Sequence, residues 1–318
     1  MVESDFLFAT LQLFNLPKKF IGCILECVIT PSFSIALNGG IHGFFAGARG
    51  LRQDDPMSPY LFVLVMEVLG LIYQQRIEQD GGFLYHWRCG EIGLFQLSFA
   101  DDLLLFCRAN EGSVRLFKDG LEMFASLSGL HTNAAKSHII FSRSAYPMRD
   151  ILLGILGFQK GTLPVTYLGL PLTLSRLTIT DCKTLLLKID KLLRGWDALQ
   201  LSFAVRIQLI KSVFMALQIY WGMAFILPKG IIKEIEKRLC NFLWKGTSTT
   251  GYPKVAWTQV CRQIEEGSQG LKDLTGLNSA LMTRHIWKVV NSNSNTIWVS
   301  WIHSVRLHSK SIWTVGAI

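Results

Sequence analysis

Leu94-Phe95-Gln96-Leu97-Ser98-Phe99-Ala100-Asp101-Asp102-Leu103-Leu104-Leu105-Phe106 sets two adjacent carboxylates between two apolar runs. The pattern predicts a β-hairpin with both strands buried and the paired acids at its tip. Like charges a few ångströms apart repel, and desolvation beside so much apolar sequence penalises both. A divalent cation would offset that cost, and Mg²⁺ takes carboxylate oxygens in preference to other protein ligands. The plainer reading is a polar turn between two strands, so the surrounding sequence has to decide.

The chain has 318 residues, enough for two domains or one large enzyme body. Half of them are hydrophobic and 17% are charged, which excludes a disordered polymer and supplies material for a core. Lys and Arg total 32 against 23 Asp and Glu, for a net charge of +9 and a pI near 9.2. Such a surplus fits a polyanionic partner, nucleic acid first, because phosphate neutralisation supplies most non-specific affinity.

The seven cysteines, at 23, 27, 89, 107, 182, 240 and 261, include no Cys-x-x-Cys pair, and no His stands at zinc-ligand spacing from a Cys pair. Cys23 and Cys27, one helical turn apart in an apolar stretch, are expected to be buried free thiols. Reduced thiols and an acidic start, Met1-Val2-Glu3-Ser4-Asp5, give the expectation of an intracellular protein, nuclear or cytoplasmic and not secreted. Tyr60 to Tyr73 and Val213 to Leu227 are apolar but short of the roughly twenty residues that span a bilayer. Both are expected to be buried core helices, with no membrane partner.

Helical spacing is expected over Asp5 to Asn15 and Lys18 to Val28, broken at Pro17, and over Ser58 to Gln79 and Ser113 to Leu127. Strands are expected at Ser32 to Leu37 (half-buried), Phe83 to Trp87, Leu94 to Phe106 and His138 to Phe141. From Thr180 onward the chain reads as helices, at Asp181 to Leu193, Ala204 to Met223, Ile231 to Leu243 and Leu277 to Val290. Six of the nine tryptophans lie beyond Gly222, where packing is their expected role. The fold class is therefore α+β, with a boundary near residue 175 between a mixed part and a helical part.

Gly47-Ala48-Arg49-Gly50-Leu51-Arg52-Gln53-Asp54-Asp55-Pro56-Met57-Ser58-Pro59 stands upstream of the acidic hairpin, and Ser128-Gly129-Leu130-His131-Thr132-Asn133-Ala134-Ala135-Lys136-Ser137 stands downstream. In that order the three segments resemble the palm motifs of reverse transcriptases of non-LTR retrotransposons, the plant LINE type in particular. The resemblance continues through Tyr167-Leu168-Gly169-Leu170-Pro171-Leu172, Leu209-Ile210-Lys211-Ser212, Asn241-Phe242-Leu243-Trp244-Lys245-Gly246 and Asn278-Ser279-Ala280-Leu281. It implies a right-hand polymerase palm, an antiparallel sheet with packed helices, over residues 1–175. A helical thumb-like region and C-terminal extension would occupy residues 176–318.

The implied activity is RNA-directed DNA polymerisation on an RNA template and DNA primer with deoxynucleotides and Mg²⁺ or Mn²⁺. The resemblance makes Asp101 the metal ligand shared with the nucleotide phosphates and Asp102 a source of negative potential near the second ion. Phe99 would lie under the primer end, Arg52 and Gln53 would contact template or nucleotide, and Lys136 would approach the phosphates. Arg194, Arg206 and Lys211 would touch the duplex backbone.

Two departures from the family pattern matter. Asp54 stands where the family usually has glycine. Val2-Glu3-Ser4-Asp5-Phe6-Leu7 matches the tail of the motif that carries the first catalytic Asp, which would fall one residue before Met1. The expectation is an N-terminally truncated and catalytically impaired polymerase fragment. The alternatives are a non-catalytic nucleic-acid-binding remnant and a chain that does not fold stably.

Overall fold

The structure, a computed structural model, describes residues 2–47, 50–197, 201–245, 253–291, 296–308, 310 and 312–314. It is mixed α+β and mostly helical, and the chain divides into two compact units, Met1–Gly161 and Thr162–Ile318.

The first unit opens with α1 (Ser4–Leu13) and α2 (Lys18–Ile29), followed by the hairpin β1 (Ser32–Leu37) and β2 (Gly40–Ala46). The long α3 (Ser58–Asp80) follows, then β3 (Gln96–Phe99), β4 (Asp102–Leu105) and α4 (Glu111–Ser128). The short β5 (His138–Ile139) pairs in parallel with β6 (Gln159–Lys160), and α5 (Arg149–Leu156) lies between them in sequence. The core forms where α1 to α4 bring together Leu7, Leu11, Ile21, Ile24, Phe117 and Phe124 with a stripe along α3. That stripe is Leu61, Val65, Leu69 and Tyr73, spaced four residues apart, so one face of α3 alone is sealed. The hydroxyl of Tyr73 reaches the carbonyl of Phe117 at 3.0 Å, and burial pushes its pKa upward.

In the second unit β7 (Val165–Tyr167) and β8 (Leu170–Leu172) form a hairpin. It is followed by α6 (Lys183–Asp197), α7 (Phe203–Leu209), a π-helical turn at Ile210–Phe214, and α8 (Met215–Ala224). The unit continues through α9 (Lys229–Lys245), α10 (Trp257–Val260), α11 (Leu274–Val290) and α12 (Ile297–Ile302). Cys182, Leu185, Ile189, Ile210, Phe214, Trp221, Ile235 and Leu239 are its fully buried centre. Two polar fixtures tie these helices. Arg238 of α9 bridges to Asp190 of α6 at 2.7 Å and to Glu234 on its own helix. The Asn278 side chain accepts from the Leu227 amide at 2.9 Å and donates to the carbonyls of Gly222 (3.1 Å) and Phe225 (2.8 Å). The end of α8 is thereby held to α11, with its open carbonyls satisfied.

Several expectations are corrected. The described strands form four separate two-stranded sheets rather than one palm sheet. Phe83 to Trp87 is irregular, because Ser113 Oγ takes the Leu84 amide (2.9 Å) where a neighbouring strand would be needed. The Phe83 ring meanwhile turns onto Phe117 at 5.4 Å. β5 is two residues long, not four. β1 is mostly exposed rather than half-buried. Cys23 and Cys27 are exposed, since α2 buries Ile21 and Ile24 and leaves the thiols on its other side. The late tryptophans do not all pack: Trp244 and Trp257 lie against the second core, whereas Trp287, Trp298 and Trp313 are exposed.

The two apolar stretches lie within helices whose bounds are close to those expected. Ser58–Asp80 and Phe203–Ala224 are, by length and composition, able to cross a membrane. Both nevertheless place a buried stripe in their unit's core.

Candidate functional site

β3 and β4 pair antiparallel with Gln96 opposite Leu105, Leu97 opposite Leu104, Ser98 opposite Leu103 and Phe99 opposite Asp102. Ala100 and Asp101 form the two-residue turn, and Phe106 donates to Phe95 O at 2.8 Å to extend the ladder at the other end. Alternation then sorts the side chains. Leu103 and Leu105 lean on the first core, and the Gln96 amide meets α3 at Gly70, while Phe95, just ahead of β3, also packs against that core. Phe99, Asp102, Leu97 and Leu104 share the opposite face.

That opposite face is open. Phe99 is 61% exposed and Leu97 is 38% exposed, so the strands are not buried as the paired apolar runs led us to expect. The apolar runs cover one face against α3, and no further strand pairs with β3 or β4 among the described residues to cover the other. Asp101 at the turn and Asp102 at the start of β4 are both exposed, and neither carboxylate has a hydrogen-bond or ion-pair partner among the described residues. The turn is strained: Ala100 has φ 51°, a left-handed conformation that costs a residue with a Cβ about 1 kcal/mol or more.

The other expected site residues are placed as follows. Arg52 and Gln53 are exposed in the loop that leads into α3. Arg52, Gly50, Asp55 and Ser58 line a cavity of about 80 Å³ with Cys27, Phe33 and Met57. Asp55 organises the helix start, its carboxylate accepting from the Met57 amide at 2.8 Å and its carbonyl from Ser58 at 3.2 Å. Lys136 is exposed in a turn headed by Asn133, whose carboxamide oxygen accepts from the amides of Ala135 (3.1 Å) and Lys136 (3.3 Å). Asp54 has φ 62°. The glycine that the resemblance expects there is the residue that adopts such a backbone without strain.

Backbone hydrogen bonds bring three of these motif segments together. The Gly50 amide donates to Val2 O at 3.1 Å, and the Glu3 amide donates to Ser128 O at 2.9 Å. The start of α1 is thus fixed between the Arg52 loop and the end of α4, an arrangement that no spacing rule discloses.

One expected contact is corrected. Arg206 points its guanidinium at its own unit, donating to Leu201 O (3.1 and 2.9 Å) and Leu243 O (3.0 Å). Its donors are committed to backbone carbonyls, and its role is structural. Arg194 remains exposed and Lys211 is half-buried. The hydrogen-bonding role of Asn278 is not legible in Asn278-Ser279-Ala280-Leu281, a segment that the resemblance alone singled out.

Chemically, the hairpin tip offers two hard, anionic oxygen donors open to solvent. No cluster of three or more His, Cys, Asp or Glu able to hold a metal ion occurs among the described residues. Mg²⁺ is commonly held by one or two carboxylates plus phosphate oxygens. The donors present therefore fit an ion shared with a polyphosphate, not one enclosed by protein alone.

This chain belongs to the reverse transcriptase (RNA-dependent DNA polymerase) family, whose pattern it matches over residues 1–172. It is 26% identical over 242 residues, 73% of its length, to the retrovirus-related Pol polyprotein of the type-2 retrotransposable element R2DM of Drosophila melanogaster. It is 22% identical over 260 residues, 77% of its length, to an uncharacterized protein of transposon TX1 of Xenopus laevis. Over a shorter stretch of 43 residues, 14% of its length, it is 49% identical to an uncharacterized mitochondrial protein of Arabidopsis thaliana. The matches span 22%, 18% and 35% of those proteins.

Proposed function

We propose that the chain is the palm and thumb portion of an RNA-directed DNA polymerase from a non-LTR retroelement of the plant LINE type. The observation that carries the reading is the pair of partner-free acids at a two-residue hairpin tip, inside the segment matched by the reverse transcriptase family. Asp101 and Asp102 are the carboxylates that hold Mg²⁺ or Mn²⁺, whose chemistry is to steady developing charge on phosphoryl oxygens. Phe99 offers an exposed ring on the Asp102 face for the primer end. Arg52, Gln53 and Lys136 are exposed and have no side-chain partner among the described residues, as contacts to template, nucleotide and phosphate require. RNA template, DNA primer and deoxynucleotides are the partners, within the nucleus or cytoplasm.

Residues 1–318 by themselves are inactive or nearly so in this reading, because the described residues supply two acids where opposed ions need a third. The loss is several orders of magnitude in rate, as for other preorganised charge stabilisers. The second reading, a non-catalytic nucleic-acid-binding remnant, draws on the same pair of acids, which stand without a third metal-ligating group among the described residues. Primer extension on an RNA template separates them. Activity in a longer chain that supplies the acid, abolished by Asp101→Ala, supports the polymerase. Salt-sensitive binding with no extension in either chain supports the remnant. Robust extension by residues 1–318 would show that another carboxylate, Asp5 or Glu3 first, completes the site.

A further inference from the structure

Between α3 and β3 the chain runs through residues 81–95, which hold one 3₁₀ turn (Gly90–Ile92) and no strand. The segment is nevertheless fixed. Phe83 and Cys89 are buried, the Leu84 carbonyl accepts from the Arg108 amide at 2.8 Å, and the Leu94 amide donates to Cys89 O at 3.0 Å. These two bonds tie it to residues that precede β3 and follow β4, at the end of the acidic hairpin away from Asp101 and Asp102.

The Cys89 amide donates to His86 O at 2.7 Å and closes a four-residue turn with Trp87 and Arg88 at its centre. Gly, Pro, Asn, Asp and Ser dominate such turns, and an exposed indole gains nothing there from burial. Trp87 is 73% exposed. The Arg88 guanidinium lies 4.4 Å from the ring centroid and makes no ion pair or hydrogen bond among the described residues. His86 braces the turn as a neutral ring: its Nδ1 accepts from the Arg88 amide at 3.3 Å, and burial and the Arg88 charge lower its pKa. Arg108 is exposed beside the stem, and Glu91, the acid of the segment, pairs with neither arginine.

We propose that Trp87 and Arg88 hold an unpaired nucleotide, its base stacked on the Trp87 ring and an adjacent phosphate on the Arg88 guanidinium. The pairing of chemistries selects that occupant. An apolar protein segment would cover the ring but bury an unpaired cation at a desolvation cost. An acidic peptide would take the arginine and leave the ring in water. A single strand offers a π-face with every base and a phosphate with every step, whereas a duplex keeps its bases stacked inside. Four paired positions of the hairpin, roughly 13 Å of strand, separate this corner from the tip. The nucleotide held here is therefore not the one at the acids. The inference rests on the chain's binding nucleic acid, which both readings above share.

Fluorescence anisotropy with a labelled single-stranded RNA and a blunt RNA–DNA duplex tests it on the full chain and on Trp87→Ala, Trp87→Phe and Arg88→Gln. Trp87→Ala should weaken single-strand binding about 5- to 100-fold at an unchanged salt slope, and Trp87→Phe should restore most of it. Arg88→Gln should lower the slope by about 0.7. Duplex affinity should stay within about twofold in all three. Hydroxyl-radical footprinting of the unmodified chain should show Trp87 protected by the single strand and not by the duplex, and it decides alone if a variant fails to fold. Single-strand binding left intact by Trp87→Ala, or an equal loss for the duplex, overturns the proposal and leaves the polymerase reading standing. Binding of neither nucleic acid overturns both. Protection of Trp87 that grows with protein concentration and needs no oligonucleotide would assign the ring to a protein contact, and it too overturns the proposal.

Discussion

Gly120 of α4 faces the ring of Tyr73 of α3 so closely that a Cβ on Gly120 would stand 2.3 Å from Cε1 and 2.8 Å from Cδ1 of that ring. The two helices that carry the acidic hairpin between them in sequence are therefore in contact through a ring and a bare backbone. Gly120→Ala should destabilise by about 1–3 kcal/mol, because the overpacking outweighs the ~1 kcal/mol gain in helix propensity. Denaturant midpoints at constant slope are the measure. A stabilised variant would show that the helices can shift apart freely.

Asp54 should answer differently to substitution. Its φ of 62° suits glycine, is tolerated by Asp and strains a β-branched residue. Asp54→Gly should be neutral or stabilising by up to about 1 kcal/mol, and Asp54→Val should cost about 1–2 kcal/mol. The order Gly, Asp, Val in unfolding midpoint is the expected result; Val equal to Gly would place the strain elsewhere.

Asn278→Ala removes three hydrogen bonds and leaves the Leu227 amide without its acceptor in a buried place. A loss of about 2–4 kcal/mol is expected. Calorimetry should assign it to the second unit, with the transition of the first unit unchanged.

The thiols predict a pH dependence. Burial pushes Cys107 up to about 12, and burial with Glu236 and Asp273 pushes Cys261 up to about 12, both from 9.0. The folded chain thus holds these protons longer than the unfolded chain. Their contribution to stability is fully present below pH 9.0 and is lost as the pH rises towards about 12. Near neutral pH, alkylation followed by mass spectrometry should label the exposed Cys23 and Cys27 well before Cys107 and Cys261. Equal labelling would mean that the half-buried sites of Cys107 and Cys261 open readily.

Nucleic-acid affinity, measured against salt, should separate exposed from committed cations. Lys136→Ala should reduce the slope of log K against log salt by about 1. Arg206→Ala should leave the slope alone and lower stability by about 1–3 kcal/mol, since its guanidinium serves Leu201 and Leu243. A slope lowered by Arg206→Ala instead would return that residue to the binding surface.

Local grammar was legible in the sequence. Pro17 separated α1 from α2, and the Asp101-Asp102 pair marked the acidic hairpin, because each obeys a rule of short range. What escaped depends on distant partners. Phe83 to Trp87 has strand composition but finds Ser113 and Phe117 instead of a strand. Arg206 reads as a surface cation until Leu243, 37 residues away, supplies a carbonyl. Cys23 and Cys27 needed only the correct phase of α2, which the many apolar residues of that helix blurred.

The two-residue length of the Ala100–Asp101 turn acts as a ruler for the acids. Side chains alternate between faces, so displacing β4 by one residue against β3 would invert every position along it. Asp102 would then turn towards α3 and Leu103 towards solvent. A single inserted codon between Phe99 and Asp102 should therefore turn Asp102 off its open face even though both acids are kept.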